Sequence, residues 1–343
     1  MKIAVYAIAL NEEKHVHQWL EATKDADVRL VADTGSTDKT VQLLQGAPNV
    51  IVHQISVQPF RFDDARNAAL ALLPDDIDMC ISLDMDEVLA EGWRDALEKT
   101  KATQIMYKYT YSWNNQDQTI PGSITTQAKV HARHGYRWNF MVHEYILPDR
   151  NENHSIEKSE DFAILHYPDN EKSRSSYDKL IKDQLDEDPT SDRYQMYYAK
   201  SLLSQERIDE AIVAFKKFIV MQKSITEPTH IASSYTTLSF LEPKKKKSYL
   251  KKATKVWYSR EPLILLAIYY FSKGKWRQAR KYCNKTLAIT QRVTDPNYLE
   301  YAWGYLPKNM LYVCNHNLKF KNRKNKMTLN VNSLTSSNFD LFK

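Results

Sequence analysis

The first half of the chain alternates short apolar runs with segments of helical spacing. Four runs rich in β-branched and apolar residues predict buried strands; they read KIAVYAIAL, DVRLVAD, NVIVHQI and DMCISLD. Between them, EEKHVHQWLEAT places Val16, Trp19 and Leu20 on one side of a helix, and a second helix is predicted to begin near Lys39. Strands that alternate with helices predict a parallel sheet with helices on its faces.

The second half of the chain follows helical periodicity throughout. Three prolines, each preceded by an acidic residue, are spaced by 34 residues: Pro228, Pro262 and Pro296. This spacing is the period of tetratricopeptide repeats, in which helix pairs stack on their neighbours. Small residues fall in register in the first and second helices of the predicted pairs: Ala199 and Ala267, then Ala211 and Ala279. We therefore expect an all-α repeat domain over residues 171–320.

Polar residues follow several of the predicted strands. Asn11, Asp33 and Asp84 each stand where a strand ends. In open sheets of alternating strands and helices, ligands bind at the carboxyl ends of the strands. These residues are therefore predicted to line a common site.

The stretch SLDMDE places Asp84 and Asp86 close together behind an apolar strand. Two neighbouring carboxylates repel each other and lose hydration on burial, and a divalent cation offsets both effects. The alternative is that Asp86 and Glu87 begin a helix whose positive end accepts them. We expect a cation to hold the two aspartates together.

The loop ADTGSTDKT, residues 32–40, carries further candidate chemistry. Gly35 frees the backbone, and Ser36, Thr37 or Asp38 can cap the helix that follows. Asp33 remains free to accept hydrogen bonds from a ligand such as a nucleobase imide. The alternative is a well-capped turn with no ligand.

Taken in order, four motifs resemble the family 2 glycosyltransferases of the GT-A fold, a Rossmann-like α/β fold. They are ALNEE, DTGSTDKT, RFDDARNAAL and SLDMDE, and the resemblance covers residues 1–170. It implies that Asp33 and the strand end at Asn11 and Glu12 hold the nucleotide base and that Asp84 lies near the ribose. It also implies that Asp86 binds Mn²⁺ or Mg²⁺, which bridges the diphosphate of a nucleotide sugar, more specifically a UDP-sugar.

Arg66 and Asn67 begin a predicted helix between the base loop and the acidic motif. In similar glycosyltransferases this helix orders the pocket wall near the nucleotide sugar, so both residues are expected at the donor. The alternative is an arginine paired with Asp63 or Asp64 at the start of the helix.

The segment YRWNFMVHEY supplies the residues expected at the acceptor. A hydroxyl that attacks the sugar must lose a proton, and a carboxylate or imidazole can accept it. We expect Glu144 to be this base and His143 to assist it by positioning the substrate, while Trp138 offers an aromatic platform to a sugar. The alternative for Glu144 is a structural ion pair with Arg133 or Arg137.

His166 follows the last predicted strand of the first half. In related GT-A enzymes a late histidine completes the coordination of the metal, and imidazole suits Mn²⁺. The alternative is an ordinary polar residue in a loop.

Composition excludes some classes of protein. The chain has 343 residues, 43% of them hydrophobic and 26% charged, which is typical of a globular protein with two domains. The longest apolar runs, residues 3–10 and 263–271, are shorter than the ~20 residues of a membrane helix. Three cysteines without metal or redox spacing, Cys80, Cys283 and Cys314, predict buried thiols in a reducing compartment, so we expect a cytoplasmic protein.

The net charge of +6 is divided unevenly along the chain. Residues 1–168 have 16 basic and 25 acidic residues, a net charge of −9, whereas residues 169–343 have 32 and 17, a net charge of +15. The basic half includes residues 244–247 and a tail over residues 321–343 that is predicted to be mobile or loosely laid on the repeats. A basic surface attracts acidic partners, although many such surfaces are only hydrated.

These patterns and the resemblance predict a metal-dependent glycosyltransferase that moves a sugar from a UDP-sugar to a glycan, protein or modified nucleic acid. Inversion is implied by the resemblance alone. DNA with a hydroxymethylated base is one candidate for an acidic acceptor. Two alternatives stay open. One is a repeat scaffold with an inactive transferase half; the other is a phosphatase of the D-x-D-x-[TV] type, in which Asp84 would be the nucleophile. The sugar, the acceptor and the oligomeric state are not predicted.

Overall fold

The computed structural model describes residues 1–111, 124–149, 153–168, 175–221, 228–291, 299–320 and 327–329. The chain divides into two compact units, Met1–Leu180 and Ile181–Lys343. The sequence-based boundary at residue 170 and most of the predicted basic tail lie outside the described residues.

The first unit is built on one eight-stranded sheet with the strand order β3-β2-β1-β4-β7-β6-β10-β5. The strands of this sheet are β1 (Ile3–Ala9), β2 (Val28–Asp33), β3 (Val50–Gln54), β4 (Met79–Ser82), β5 (Glu87–Leu89), β6 (Gln104–Tyr111), β7 (Ile124–Ala132) and β10 (Ile156–His166). A separate two-stranded sheet pairs β8 (Tyr136–Asn139) with β9 (Tyr145–Pro148). The helices are α1 (Val16–Ala22), α2 (Thr40–Gln45), α3 (Phe62–Ala71) and α4 (Trp93–Glu98), and α5 (Ser175–Glu187) crosses the division between the units.

Strands β1, β2 and β4 are buried on both faces, which explains why they read as continuous apolar runs. Side chains alternate along β1: Val5 faces one core cluster together with Trp19 of α1, and Tyr6 faces another together with Leu70 of α3. The four predicted strands of the first 90 residues and the predicted helices there are confirmed as β1–β4, α1 and α2.

The sheet is mixed, which corrects the expectation of a parallel sheet. Strands β1–β4 run parallel to one another, but β7 runs antiparallel to both β4 and β6. Because β1, β2 and β4 are parallel and in register, with Ala9 opposite Asp33 and Tyr6 opposite Ser82, their carboxyl ends meet at one edge. Asn11, Asp33 and Asp84, which end or follow these strands, therefore lie at that edge.

The second unit is all helical in its described residues. Its helices are α6 (Asp192–Ser204), α7 (Ile208–Met221), α8 (Pro228–Leu241), α9 (Lys246–Val256), α10 (Arg260–Ser272), α11 (Trp276–Leu287), α12 (Glu300–Trp303) and α13 (Leu306–Lys319). Within this unit α6 packs on α7, α8 on α9, and α10 on α11, while α13 packs on α11. The predicted α/β domain of the GT-A type followed by tetratricopeptide-like helices is thus confirmed as the fold class.

Buried small residues allow these helices to approach closely. All four alanines predicted at repeat positions are completely buried: Ala199, Ala211, Ala267 and Ala279. Pro228 begins α8 and Pro262 lies in the first turn of α10, where proline is tolerated, while Pro296 lies outside the described residues. Among the described residues, no helix is long and apolar enough to cross a bilayer.

Candidate functional site

The acidic motif forms a turn between β4 and β5. The Asp84 N–H donates to the Glu87 carboxylate, and the Glu87 N–H donates to the Asp84 carbonyl, both at 2.9 Å. Because β5 pairs antiparallel with β10, Glu87 lies opposite His166. This pairing brings Asp86 and His166 together although they are far apart in the sequence.

Asp86 and His166, the two predicted metal ligands, are neighbours in the structure. His166 Nε2 is 3.1 Å from Asp86 Oδ2, and both side chains remain partly accessible, at 16% and 23% exposed. The rings of Tyr111 and Tyr109 flank the imidazole with centroids at 4.5 and 5.7 Å. A carboxylate oxygen and an imidazole nitrogen suit Mn²⁺. The described residues offer no third histidine, cysteine or carboxylate to this pair, so an ion here would need oxygens from its substrate or from water.

Asp84 is neutralised by cations of the protein itself. Its Oδ1 lies 2.7 Å from the Arg66 guanidinium and its Oδ2 lies 3.0 Å from Lys129 Nζ. Burial alone would raise the pKa of Asp84, but Arg66 and Lys129 hold that pKa well below its usual value. This corrects the expectation that a metal ion must hold Asp84 and Asp86 together: Asp84 already has two cationic partners.

Lys129 is a site residue that the sequence analysis did not find. It bridges Asp84 and Glu87, with its Nζ 2.8 Å from Glu87 Oε1, and the Tyr109 hydroxyl donates to the same Glu87 oxygen at 2.7 Å. Burial would lower the pKa of Lys129, but Asp84 and Glu87 raise it above its usual value. The only signal in the sequence is a lysine between two apolar residues, Ala128 and Val130, and this gives no indication of its partners.

Arg66 joins three parts of the site. From α3 its guanidinium contacts Asp84, donates to Glu144 Oε1 at 2.6 Å and donates to the Ser82 hydroxyl at 3.1 Å. It also lies over the Trp138 ring, 4.9 Å from the centroid. Arg66 thus lies beside the acidic motif, whereas the alternative is wrong because Arg61, and not Arg66, pairs with Asp63 and Asp64.

Trp138 and Asn67 have internal structural partners. Trp138 is 1% exposed, and its Nε1–H donates to the Tyr6 hydroxyl at 2.6 Å. This burial corrects the prediction of an aromatic platform for the acceptor, since no face of the ring is accessible to a sugar. The Asn67 amide donates to the Trp138 carbonyl and accepts from the Trp138 N–H, both at 2.9 Å. Asn67 thus fixes β8 on α3, and these contacts do not support its predicted role at the donor.

Glu144 and His143 lie in the loop between β8 and β9. Glu144 forms a structural pair, as one alternative proposed, but its partner is Arg66 and not Arg133 or Arg137. His143 is exposed, has a left-handed backbone with φ of 53°, and has its ring centroid 6.2 Å from that of Tyr177. Left-handed conformations of non-glycine residues concentrate at functional sites.

The loops after β1 and β2 are bonded to each other. The Asn11 side-chain oxygen accepts from the Thr37 N–H at 2.8 Å, and the Asn11 N–H donates to the Ser36 hydroxyl at 2.8 Å. The Glu12 N–H donates to the Thr40 hydroxyl at 2.7 Å. The three predicted base-binding residues, Asn11, Glu12 and Asp33, are thereby brought to one place.

Asp33 is completely buried in this loop. Its carboxylate accepts from the N–H groups of Gly35 and Ser36 at 3.1 Å, and Gly35 has φ of 116°. These bonds favour the alternative in which Asp33 orders the turn, because its oxygens are directed at the backbone of its own loop.

Comparisons with known proteins give low similarity. No protein-family model and no curated protein matches the chain. Solved structures that match include TarS residues 1–349 from S. aureus, 13% identical over 86% of this chain and 93% of TarS, with a TM-score of 0.38. MamA is 17% identical over 51% of this chain and 94% of its own, with a TM-score of 0.31. Glucosyl-3-phosphoglycerate synthase from Mycobacterium tuberculosis is 26% identical over 33% of this chain and 44% of its own, with a TM-score of 0.26. At these scores the similarities assign no activity to this chain.

Proposed function

We propose that this protein is a metal-dependent glycosyltransferase that transfers a sugar from a UDP-sugar with inversion. The observation that carries the proposal is the Asp86–His166 pair at 3.1 Å, set beside the network of Asp84, Arg66 and Glu144. All of these groups lie near the carboxyl ends of the strands, where folds of this class bind their ligands.

Asp86 and His166 are the proposed ligands of Mn²⁺ or Mg²⁺, which would offset the charge that develops on the leaving diphosphate. Arg66 and Lys129 fix the orientation of Asp84, and we propose that Asp84 faces the ribose. The bonded loops after β1 and β2 would hold the base, with Asn11 and Glu12 at their exposed side and Asp33 ordering the turn beneath.

The proposed catalytic pair is Glu144 and His143. Glu144 Oε1 accepts a hydrogen bond from Arg66, so we propose that the other oxygen of this carboxylate takes the proton of the acceptor. His143 is exposed on the same loop and has the conformation of a functional residue. The two residues are therefore rivals for the role of base, and their variants must be measured side by side.

The alternatives have less support. A phosphatase would need Asp84 as a free nucleophile, but two cations hold its carboxylate. A scaffold with an inactive transferase half would have no need for the Asp86–His166 pair. We keep the cytoplasm as the proposed location because all three cysteines are buried free thiols.

The acceptor is proposed only as a class: a glycan, a protein or a modified nucleic acid. DNA with a hydroxymethylated base remains one candidate, since phosphates would bind the basic half in a salt-dependent manner. A gel-shift titration with duplex DNA tests it, and no retardation at low salt would exclude DNA as the acceptor.

A donor screen tests the central proposal. Purified protein is incubated with Mn²⁺ and a panel of UDP-sugars, and released UDP is measured; UDP-GlcNAc, the ligand in one TarS complex, is a suitable first member. We expect release from at least one donor and a loss of release in Asp86→Ala and His166→Ala. An absence of release and of UDP binding across the panel would leave the scaffold as the better assignment.

A further inference from the structure

One segment of the second unit carries charge of almost a single sign. Residues 243–285 contain 14 lysines and arginines and a single acidic residue, Glu261. Glu261 is 2% exposed, and its carboxylate accepts from Trp303 Nε1 at 2.9 Å, so it adds no negative charge to the surface. Helices α9 and α11 and the turn before α11 supply most of the exposed cations.

These cations are not neutralised by neighbouring carboxylates. Lys245 pairs with Glu242 at the start of α9. Beyond it, none of the exposed cations of the segment forms an ion pair within the described parts of the chain: Lys247, Lys251, Lys252, Lys255, Lys273, Lys275, Arg277, Arg280 and Lys281. A surface of unpaired like charges attracts counter-ions and polyanions.

Three lysines from different elements lie around the adjacent Tyr269 and Tyr270, where the Lys275 N–H donates to the Tyr270 carbonyl at 2.9 Å. Lys273 Nζ donates to the Tyr269 hydroxyl at 3.0 Å, and this bond, together with the charges of Lys273, Lys247 and Lys275, lowers the pKa of Tyr269. Lys247 comes from α9, Lys273 follows α10, and Lys275 precedes α11. We call Lys247, Lys273 and Lys275 the lysine cluster.

The aromatic rings at the lysine cluster are already covered. Lys273 Nζ lies 4.5 Å from the centroid of Tyr269, and Lys247 Nζ lies 5.8 Å from that of Tyr270. Tyr270 in turn stacks on Tyr282 with an interplanar angle of 8°. Single-stranded nucleic acids bind through bases stacked on open rings, whereas Tyr270 is only 7% exposed and Tyr269 is already bonded to Lys273. Lysines act as compact point charges without the fork geometry of arginine, which suits a flexible, repeating anion.

We infer that the lysine cluster and the basic surface around it bind an anionic polysaccharide. Binding through exposed lysines needs no nucleotide sugar and is independent of the proposed function, but the choice of a saccharide as the polymer rests on that function. In a transferase, such a surface would retain an acidic glycan acceptor between successive reactions.

The test compares two polymers with the same backbone, dextran sulfate and neutral dextran. Binding to the full-length protein is measured by fluorescence anisotropy of labelled polymer, without nucleotide or metal, over a series of salt concentrations. The test variant is Lys247→Gln/Lys273→Gln/Lys275→Gln. The matched control, Lys217→Gln/Lys308→Gln/Lys319→Gln, removes the same charge from exposed lysines elsewhere in the second unit. Circular dichroism verifies that each variant is folded.

We expect dextran sulfate to bind and neutral dextran not to bind. The cluster variant should lose roughly tenfold or more in affinity and show a shallower dependence on salt, while the control stays close to wild type. An equal loss in both variants would show that the affinity depends only on net charge, and this would overturn the site. An absence of binding at low salt would also overturn it. Tighter binding of duplex DNA than of dextran sulfate at equal salt would overturn the choice of polysaccharide. None of these results depends on whether the donor screen detects a transferase.

Discussion

At the scale of single residues, Asp86 decides whether the site works with a metal. The Asp86→Ala variant loses one of the two proposed protein ligands, so we expect transfer to be abolished while the fold remains. Mn²⁺ and UDP together should stabilise the wild type by about 3 kcal/mol at a hundredfold excess over the dissociation constant, and should not stabilise the variant. Thermal unfolding measures this, with Asp95→Ala, an exposed aspartate of α4, as the control. Equal stabilisation of all three proteins would contradict the metal assignment.

Lys129 offers a second prediction because two carboxylates depend on it. The Lys129→Met variant keeps most of the length of the side chain but leaves Asp84 and Glu87 without this cation. Removing one partner of a buried ion pair costs about 3 to 5 kcal/mol, and we expect a loss of that order in the free energy of unfolding. Lys108→Met, an exposed lysine on the adjacent β6, should change stability by far less. Urea unfolding compares the two, and equal effects would show that the network around Asp84 does not need Lys129.

Kinetic measurements can decide whether Glu144 or His143 is the catalytic base. If Glu144 is the base, Glu144→Gln should lower kcat by about 10² to 10⁴ with little change in the KM of the donor, because an amide cannot accept the proton. Initial rates with the donor identified in the screen provide the measurement. Should His143→Ala prove far more damaging than Glu144→Gln, the proton acceptor is His143, and Glu144 serves only to hold Arg66.

At the scale of elements, the sequence was informative where the signal is local. The repeat alanines, such as Ala199 and Ala267, were found because a helix pair imposes its spacing on neighbouring residues. The Asp86–His166 contact was predicted only through the resemblance to a known family. The contact depends on the pairing of β5 with β10, and these strands are far apart in the sequence. Lys129 and the burial of Trp138 could not be predicted, because they depend on an antiparallel strand inserted beside β4 and on a hairpin that covers α3.

His131 lies on this inserted strand and contacts residues of two other strands, and its burial leads to a prediction about pH. It is completely buried, with its Nε2 3.0 Å from the Tyr6 hydroxyl of β1 and its ring 5.4 Å from that of Tyr136 of β8. Burial lowers the pKa of His131 from 6.5 to about 4; the bond to the Ala132 carbonyl opposes this shift, and the charge of Arg133 adds to it. Between these values the unfolded chain binds the proton and the folded chain does not, so stability is lost as the pH falls through this window.

Between about pH 7.5 and about pH 4.5, the titration of His131 should lower the free energy of unfolding by about 2 to 3 kcal/mol. His131→Gln removes this titration while the carboxylates of the protein titrate as before. Urea unfolding of both proteins at both pH values therefore isolates the contribution of His131. A variant whose stability falls with pH as steeply as that of the wild type would mean that His131 is protonated in the folded protein.

At the scale of the whole molecule, two kinds of charge occupy different units and should respond differently to salt. The charges of the donor site are partly buried, with Asp86 at 23% and His166 at 16% exposed, and such groups are screened weakly. The lysine cluster is exposed, and its attraction for a polymer depends on the release of counter-ions. Raising the salt from about 50 mM to about 300 mM should thus weaken dextran sulfate binding by roughly a hundredfold and Mn²⁺–UDP binding by less than about fivefold. Both titrations can be made on one preparation of the protein. A parallel decline of the two affinities would mean that nucleotide and polymer are held by the same exposed lysines, and the acidic turn of the first unit would then have no part in binding the donor.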